Sequence, residues 1–321
     1  MTDFVSPEPI HVVAAVIRDA AGRVLLTQRP IGKDLAGLWE FPGGKCESGE
    51  PARFALAREL DEELGIQVDT ARSLMRVPHT YADKSIVLDC WDVQAYSGTA
   101  WSREGQALRW LHPQEMDRAN MPAADHPLIT ALRLPQRYLI TPAPAREAID
   151  LFLADIQRAL QGGIRLLQLR LPGWPRADVA ALARRLRDLC APHGAELLLS
   201  ADWQLAEVLG LAGVHLPARI AASLDCRPVA ADRWLGVSCH SAEELLHAQR
   251  IGADFATLSP IRSTPSHPDA AAMGWQRAAS LIAACALPVY ALGGLGSADI
   301  ELARTACAQG VAAMRGFLPA R

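Results

Sequence analysis

The sequence predicts an α/β protein of two domains, the second a closed parallel barrel of eight βα units. Three observations lead there. The chain has 321 residues, too many for one small domain and enough for each half to bury its own core. Its first part reads as short strands with two helices. From residue 137 onward, apolar runs alternate with amphipathic stretches, and the runs are apolar almost throughout, as strands buried on both faces must be.

In chain order, residues 10–19 and 23–28 read as a hairpin turning at Asp19-Ala20-Ala21-Gly22. LWEFPGG follows, a short strand ending in a Pro-Gly-Gly turn. Pro51 is expected at the first position of a helix, where its missing N–H has no partner to lose. Phe54, Leu56, Leu60 and Leu64 supply the apolar positions of that helix, and Gly65 stops it. Residues 73–81, 84–94 and 107–111 read as further strands and 127–134 as a last helix. The pattern changes at Leu134-Pro135, which divides the chain into residues 1–135 and 136–321. The barrel strands are expected at 137–141, 164–171, 195–200, 213–217, 234–239, 255–260, 289–295 and 311–317. Helices lie between most of them, for example at 146–161 and 176–190.

The net charge of −3, with no block of Lys and Arg, argues against a nucleic-acid polymer as partner. A small nucleotide remains open, since a metal and one basic side chain can hold it. The seven cysteines form no C-x-x-C pair and read as reduced thiols of a cytosolic protein. MTDFVSPEPIHVV has no basic segment before a long apolar run, and no stretch reaches the roughly 18 apolar residues of a membrane span. The expected location is therefore the cytoplasm, away from membranes.

Residues 44–66 carry the chemistry. Gly44 is followed after five residues by Glu50, after seven more by Arg58-Glu59-Leu60, then by Glu62-Glu63 and Gly65-Ile66. Written out, this is G-x5-E-x7-R-E-U-x-E-E-x-G-U with every position filled. Residues three and four apart share a helix face, so Glu59, Glu62 and Glu63 are expected to project together. Carboxylates so close repel one another, and a hard divalent cation supplies the counter-charge. Mg²⁺, or Mn²⁺ in its place, takes carboxylate and phosphate oxygens and orients water for in-line displacement. The competing reading is a solvated acidic face balanced by Arg58.

Residues 44–66 resemble the Nudix box, and residues 8–134 resemble the 8-oxo-dGTP diphosphatases of the MutT type. The resemblance implies an α/β/α sandwich around a mixed sheet. It implies metal ligands at Glu59, Glu62, Glu63, Glu104 and the Gly43 carbonyl, with Glu59 also orienting the attacking water. Arg58 belongs to the same catalytic set. Arg29, Gly44 and Lys45 would meet the nucleotide. MPAADHPLI, residues 121–129, resembles the base-recognition segment, but Asp125 stands where that family has an asparagine. The oxidised guanine offers a donor at N7 and an acceptor at O6, which an amide matches and an ionised carboxylate does not. Asp125 would suit the base if protonated. It could instead cap the helix at His126, or the alignment could slip to Asn120.

The second half resembles thiamine phosphate synthases and thiazole tautomerases over residues 137–317. QLR (168–170), GVHL (213–216), GVSCHS (236–241), SPIRSTPSHP (259–268) and ALGGL (291–295) carry the resemblance. It implies a ligand site at Gln168 and Arg170, a phosphate cradle at Gly293 and Gly294, and a proton-shuttling His240, which could equally precede a helix capped by Ser241 and Glu244. The departures fall on the charged positions. Ser200-Ala201 replaces an Asn-Asp pair, and residues 217–220 lack a metal aspartate. Lysines are missing near Pro172 and in Thr264-Pro265-Ser266-His267, and Met314-Arg315-Gly316-Phe317 replaces the usual closing segment.

The expected function is magnesium-dependent hydrolysis of a nucleoside triphosphate, 8-oxo-dGTP to 8-oxo-dGMP and pyrophosphate, which would cleanse the nucleotide pool for DNA replication and repair. The barrel would be a degenerate module binding a phosphate ligand. The alternative is hydrolysis of thiamine-related or other nucleoside diphosphates beside a barrel active in the thiamine pathway.

Overall fold

The computed structural model describes residues 8–32, 34–263 and 271–319. Thr264-Pro265-Ser266-His267 lies outside the described residues. The chain splits into two compact units, Met1–Arg133 with Ala283–Ala286, and Leu134–Ile282 with Leu287–Arg321.

The first unit contains β1 (Ile10–Ile17), β2 (Val24–Gln28), β3 (Trp39–Glu40), β4 (Gly43–Lys45), α1 (Ala52–Leu64), β5 (Gln67–Thr80), β6 (Ser85–Ser97), β7 (Leu108–Leu111) and α2 (His126–Arg133). One sheet has the order β4-β1-β6-β5 and the other β3-β2-β7. The first is mixed, because β1 runs parallel to β6 but antiparallel to β4. Alternation along β1 explains the layers. Val13, Ala15 and Ile17 join Leu56, Leu60 and Leu64 of α1 in one core, while Ala14 and Val16 join Leu128 and Ile129 of α2 in another. Both faces of β1 are thus covered by helices, giving the α/β/α sandwich that the resemblance implied.

Four local expectations are corrected. The turn at residues 19–22 forms, but β1 and β2 share only the Arg18–Val24 bridge and then enter different sheets, since β1 pairs with β6 along its full length. Pro51 precedes α1 in extended conformation (φ −65°, ψ 138°), and Ala52 is the first helical residue. Phe54 points outward and Ala55 takes the buried place, one position further round the helix. The strand expected to begin at residue 73 begins at Gln67. Register shifts near Val68, Thr70 and Ser73 break the alternation that would have revealed its start.

The second unit begins with β8 (Arg137–Ile140), α3 (Ile149–Gln161), β9 (Leu166–Leu169), α4 (Arg176–Cys190), β10 (Glu196–Ser200), α5 (Trp203–Val208), β11 (Gly213–Leu216) and α6 (Ala218–Ala221). It continues with β12 (Trp234–Cys239), α7 (Ala242–Arg250), β13 (Phe255–Leu258), α8 (Gly274–Ala283), β14 (Val289–Leu292), α9 (Ile300–Thr305) and β15 (Gly310–Ala313). All eight expected strands are present, and they close into one barrel. Most are shorter than their apolar runs, because residues such as Leu171 and Ile261 stay buried beyond the last strand bond. Tyr138, Phe255 and Tyr290 pack inside the barrel at centroid distances of 5.4–5.6 Å. Outward residues such as Leu167, Leu169 and Leu199 pack with Phe152, Ile156, Leu182 and Leu186 of α3 and α4.

One interior layer is polar. The Tyr138 hydroxyl lies 3.0 Å from His215 Nδ1 and donates to Gln168 Oε1 at 3.3 Å, and His215 Nε2 lies 2.9 Å from the Ser238 hydroxyl. His215 is fully enclosed, and burial pushes its pKa down to about 3. The neutral ring is the folded form, so its contribution to stability is complete above the unfolded pKa of about 6.5 and is lost as pH falls toward 3. Chemical unfolding followed at pH 5.0 and 6.5 should show a midpoint that drops with acid in the native chain. The drop should be distinctly smaller in His215→Gln. Equal slopes for the two proteins would remove this account of the layer.

Candidate active site

A cleft of about 610 Å³ opens in the first unit, within the range of small-molecule sites. Glu40 from β3, Gly43, Gly44 and Lys45 from β4, Glu59 and Glu63 from α1, Glu104 from the β6–β7 connection, Arg29, and Asp125 all line it. Residues nearly a hundred positions apart therefore meet around one space. The fold does this by laying α1 across β1 and β4 and by bringing the segment before α2 to the same opening.

The β4–α1 junction requires small residues. A Cβ on Gly44 would sit 2.2 Å from the Glu59 carboxylate, so the carboxylate occupies the place a side chain would take. A Cβ on Gly43 would sit 2.1 Å from the Val13 carbonyl oxygen, and its φ of +148° is one that side chains rarely adopt. The freed Gly43 N–H donates to Glu63 Oε2 at 3.2 Å.

Arg58 organises the acidic face. Its Nε and Nη2 donate to the two oxygens of Glu50 at 3.0 and 2.9 Å, a bidentate pair, and Nη2 also donates to the Lys45 carbonyl at 3.0 Å. Nη1 donates to Glu59 at 2.9 Å and to Glu62 at 3.3 Å. These partners hold the guanidinium firmly charged. Glu62 is not among the residues lining the cleft, and its side chain is 57% exposed. The three expected carboxylates therefore divide: Glu59 and Glu63 face the cleft, while Glu62 stays at its outer edge with Arg58.

Electrostatics inside the cleft are unfavourable to its own charges. Burial raises the Glu63 pKa to about 8, and the nearby Glu40, Glu104 and Glu59 add to the effect. Burial also raises Glu59, with Arg58 opposing. The donor set is hard oxygen with a surplus of negative charge, which suits a divalent cation of the Mg²⁺ type. Among the described residues, no three Asp, Glu, His or Cys side chains converge into a ready-made metal cage.

Asp125 is 5% exposed and lies at the end of a short 3-10 turn just before α2. Its carboxyl takes the Phe41 N–H rather than capping the helix, and Oδ2 has no hydrogen-bond partner among the described residues. Burial, reinforced by Glu40, pushes its pKa well above the usual carboxylate range despite Arg29 nearby. Asn120 is exposed and donates to Asp117 at 2.8 Å, which leaves Asp125 as the residue at the cleft. Sequence reasoning missed Glu40. Arg29 pairs with it and also donates from Nε to the Asp34 carbonyl at 2.6 Å. The only available signal was its position in the short strand that precedes the Pro-Gly-Gly turn.

In the barrel, Gln168 is buried in β9, and the Arg170 N–H just beyond it donates to Thr141 Oγ1 at 3.1 Å. His240 follows β12, with Nδ1 2.9 Å from the Ser259 carbonyl oxygen. Its backbone N–H donates to Glu244 at 2.6 Å, and Ser241 caps α7, so the capping arrangement forms. Gly293 and Gly294 follow β14. These residues all sit at C-terminal strand ends, or in Gln168's case within the strand, but His240, Gly293 and Gly294 do not line the cavity that Arg170 lines.

A family profile described as NUDIX domain matches residues 13–131, and one described as Thiamine monophosphate synthase matches residues 137–317. The CTP pyrophosphohydrolase of Escherichia coli is 43% identical over 122 residues, covering 38% of this chain and 90% of the relative. The 8-oxo-dGTP diphosphatase of Haemophilus influenzae is 39% identical over 123 residues, covering 38% and 90%. The thiamine-phosphate synthase of Desulfitobacterium hafniense is 32% identical over 169 residues, covering 52% and 82%. With the glutamate-lined cleft in the first unit and the closed parallel barrel in the second, the chain belongs to the Nudix hydrolases, enzymes acting on phosphoric anhydrides, through residues 13–131 and to the thiamine monophosphate synthase family through residues 137–317.

Proposed function

We propose that the N-terminal unit hydrolyses a nucleoside triphosphate to the monophosphate and pyrophosphate, with 8-oxo-dGTP as preferred substrate. The observation that carries this reading is Asp125, buried at the cleft with an unpartnered oxygen and a pKa shifted toward the neutral acid. A neutral carboxylic acid has one donor and one acceptor. It accepts from N7–H of the oxidised base and donates to O6, which ordinary guanine, with an acceptor at N7, does not match. Cytosine is the second reading, because its exocyclic amine and ring nitrogen present a similar donor–acceptor edge and a relative named for CTP is 43% identical.

Glu59, Glu63 and Glu104, with the Gly43 carbonyl, are the groups that would hold Mg²⁺ or Mn²⁺. The cation would offset the charge of the diphosphate and of the carboxylates around it. Glu59 orients the attacking water and accepts its proton, held in place by Arg58 and the missing Cβ of Gly44. Lys45 and Arg29 meet phosphate oxygens. Glu62, at the edge, contributes less directly. The barrel is not assigned the synthase reaction, since a step releasing diphosphate needs charge stabilisation that its altered strand ends lack.

The reading is tested by comparing kcat/KM for 8-oxo-dGTP, dGTP, CTP and thiamine diphosphate on the full chain. A preference for 8-oxo-dGTP over dGTP of about tenfold or more is expected. Faster turnover of CTP or thiamine diphosphate than of 8-oxo-dGTP would replace the assignment. Asp125→Asn should retain the preference, while Asp125→Ala should lose about 10- to 100-fold in kcat/KM. Rising pH ionises Asp125 and removes its donor, so the preference should decline on the alkaline side in the native enzyme and stay level in Asp125→Asn.

Glu59→Gln and Glu63→Gln should each lower kcat by roughly 10²- to 10⁴-fold, and Glu62→Gln by clearly less. Steady-state kinetics at saturating Mg²⁺ check this, and an equal loss at all three positions would contradict the division of the acidic face. Gly44→Ala displaces a flexible carboxylate, so kcat or metal affinity should fall about 10- to 100-fold at nearly unchanged thermal midpoint. Gly43→Ala meets backbone and should lower the midpoint itself.

A further inference from the structure

Glu104 reaches the cleft from the connection between β6 and β7, beside Gly105 at a φ of +81°. A carboxylate on such a connection has no helix or strand of its own to fix it. The connection is instead tied to the end of α1. The Trp101 N–H donates to the Leu64 carbonyl at 3.1 Å, and the Arg103 N–H donates to the Glu63 carbonyl at 3.0 Å. Both carbonyls belong to the last turn of the helix, where no intrahelical donor is left for them. One main-chain hydrogen bond thus separates Glu63 from the residue next to Glu104.

Side chains reinforce the tie. Arg103 Nη1 donates to the Asp61 carbonyl at 2.8 Å and to the Asp61 carboxylate at 3.2 Å. The guanidinium lies over the Trp101 ring, 5.9 Å from its centroid, within reach of a cation–π contact. That contact gives a partner to an indole that is otherwise exposed. A positive charge at the C-terminal end of α1 also suits the helix dipole. Gly65 makes the room, because a Cβ there would sit 3.0 Å from both Arg103 Nε and Trp101 Nε1. Beyond Glu104, the buried Gln106 accepts from the Ser102 hydroxyl at 2.9 Å, and the Ala107 carbonyl accepts the Gln28 N–H at 2.9 Å. The connection is therefore anchored on both sides of Glu104, yet Asp61, Trp101 and Arg103 do not line the cleft.

We propose that Arg103, clamped between Asp61 and the Trp101 ring, is a positioning residue that latches the Glu104 connection to the last turn of α1 and so sets the Glu104 carboxylate against Glu63. It acts on the cation site without touching it, as a residue behind a ligand does. Arg58 steadies Glu59 from within the acidic face, and Arg103 does the same for Glu104 from outside the cleft. The inference rests on the reading of Glu104 as a group that holds the divalent cation, and it is independent of which base is recognised.

Mn²⁺ titration of the substrate-free full chain, followed by electron paramagnetic resonance, tests it in a double-mutant cycle. Arg103→Ala should weaken Mn²⁺ binding about tenfold and Glu104→Gln at least as much. The double variant should bind no more weakly than Glu104→Gln alone, because the group being positioned is already gone. Arg103→Lys keeps a donor for Asp61 and loses the flat face over Trp101, so its affinity should fall between native and Arg103→Ala. The Arg103 side chain is 43% exposed, and the thermal midpoint should change little in either variant. The latch is overturned if Glu104→Gln weakens binding but Arg103→Ala does not, or if Arg103→Ala costs the same factor with and without Glu104. Absence of Mn²⁺ binding, or native affinity in Glu104→Gln, would overturn the metal reading of Glu104 and the latch with it.

Discussion

Crowded negative charge, held partly out of water, is the constraint around which the N-terminal unit is built. A carboxylate such as Glu63 would ordinarily point to solvent, yet α1 turns it inward against β4 beside Glu59, Glu40 and Glu104. That arrangement costs free energy, which an opposing charge would offset. The apolar cores on either side of β1 hold α1 in place and supply the rigidity such strain needs. Arg58 keeps the face from splaying, with a bidentate grip on Glu50 and single bonds to Glu59 and Glu62. The glycines at the start of the box matter for the same reason, because they admit the carboxylate and the close backbone.

The barrel of the second unit is built around a different interior. Its closed ring of parallel strands buries Tyr138, Phe255 and Tyr290 beside the polar group centred on His215. At the opening, strand ends set the distance between side chains.

Much of this was legible in the residues, and the exceptions have physical causes. The eight apolar runs specified the barrel because strands buried on both faces leave little room for polar residues. The fixed spacing of Gly44, Glu50, Arg58, Glu59 and Glu63 specified the helix and its acidic face. Spacing alone does not distinguish Glu62 from Glu63, since both lie one turn from Glu59. Their separation depends on which side of the helix the sheet covers. Phe54 and Ala55 were confused for the same reason. Glu40 carried no pattern of its own, and its place in the cleft follows from a two-residue strand pairing with β2. The start of β5 was hidden because irregular pairing allows polar residues in succession.

That irregularity has a consequence for life at high concentration. β5 is an outer strand of its sheet and, at 14 residues, the longest strand in the protein, with one border open to pairing. A straight strand of that length invites a neighbouring molecule to add itself by backbone bonds. Here the register shifts near Val68, Thr70 and Ser73 bend the strand, and Pro78 has no N–H to offer, while Arg72 and Arg76 pair with Asp92 and Asp89 of β6. The same departures that obscure the strand in the amino-acid pattern make its border a poorer template for an added strand.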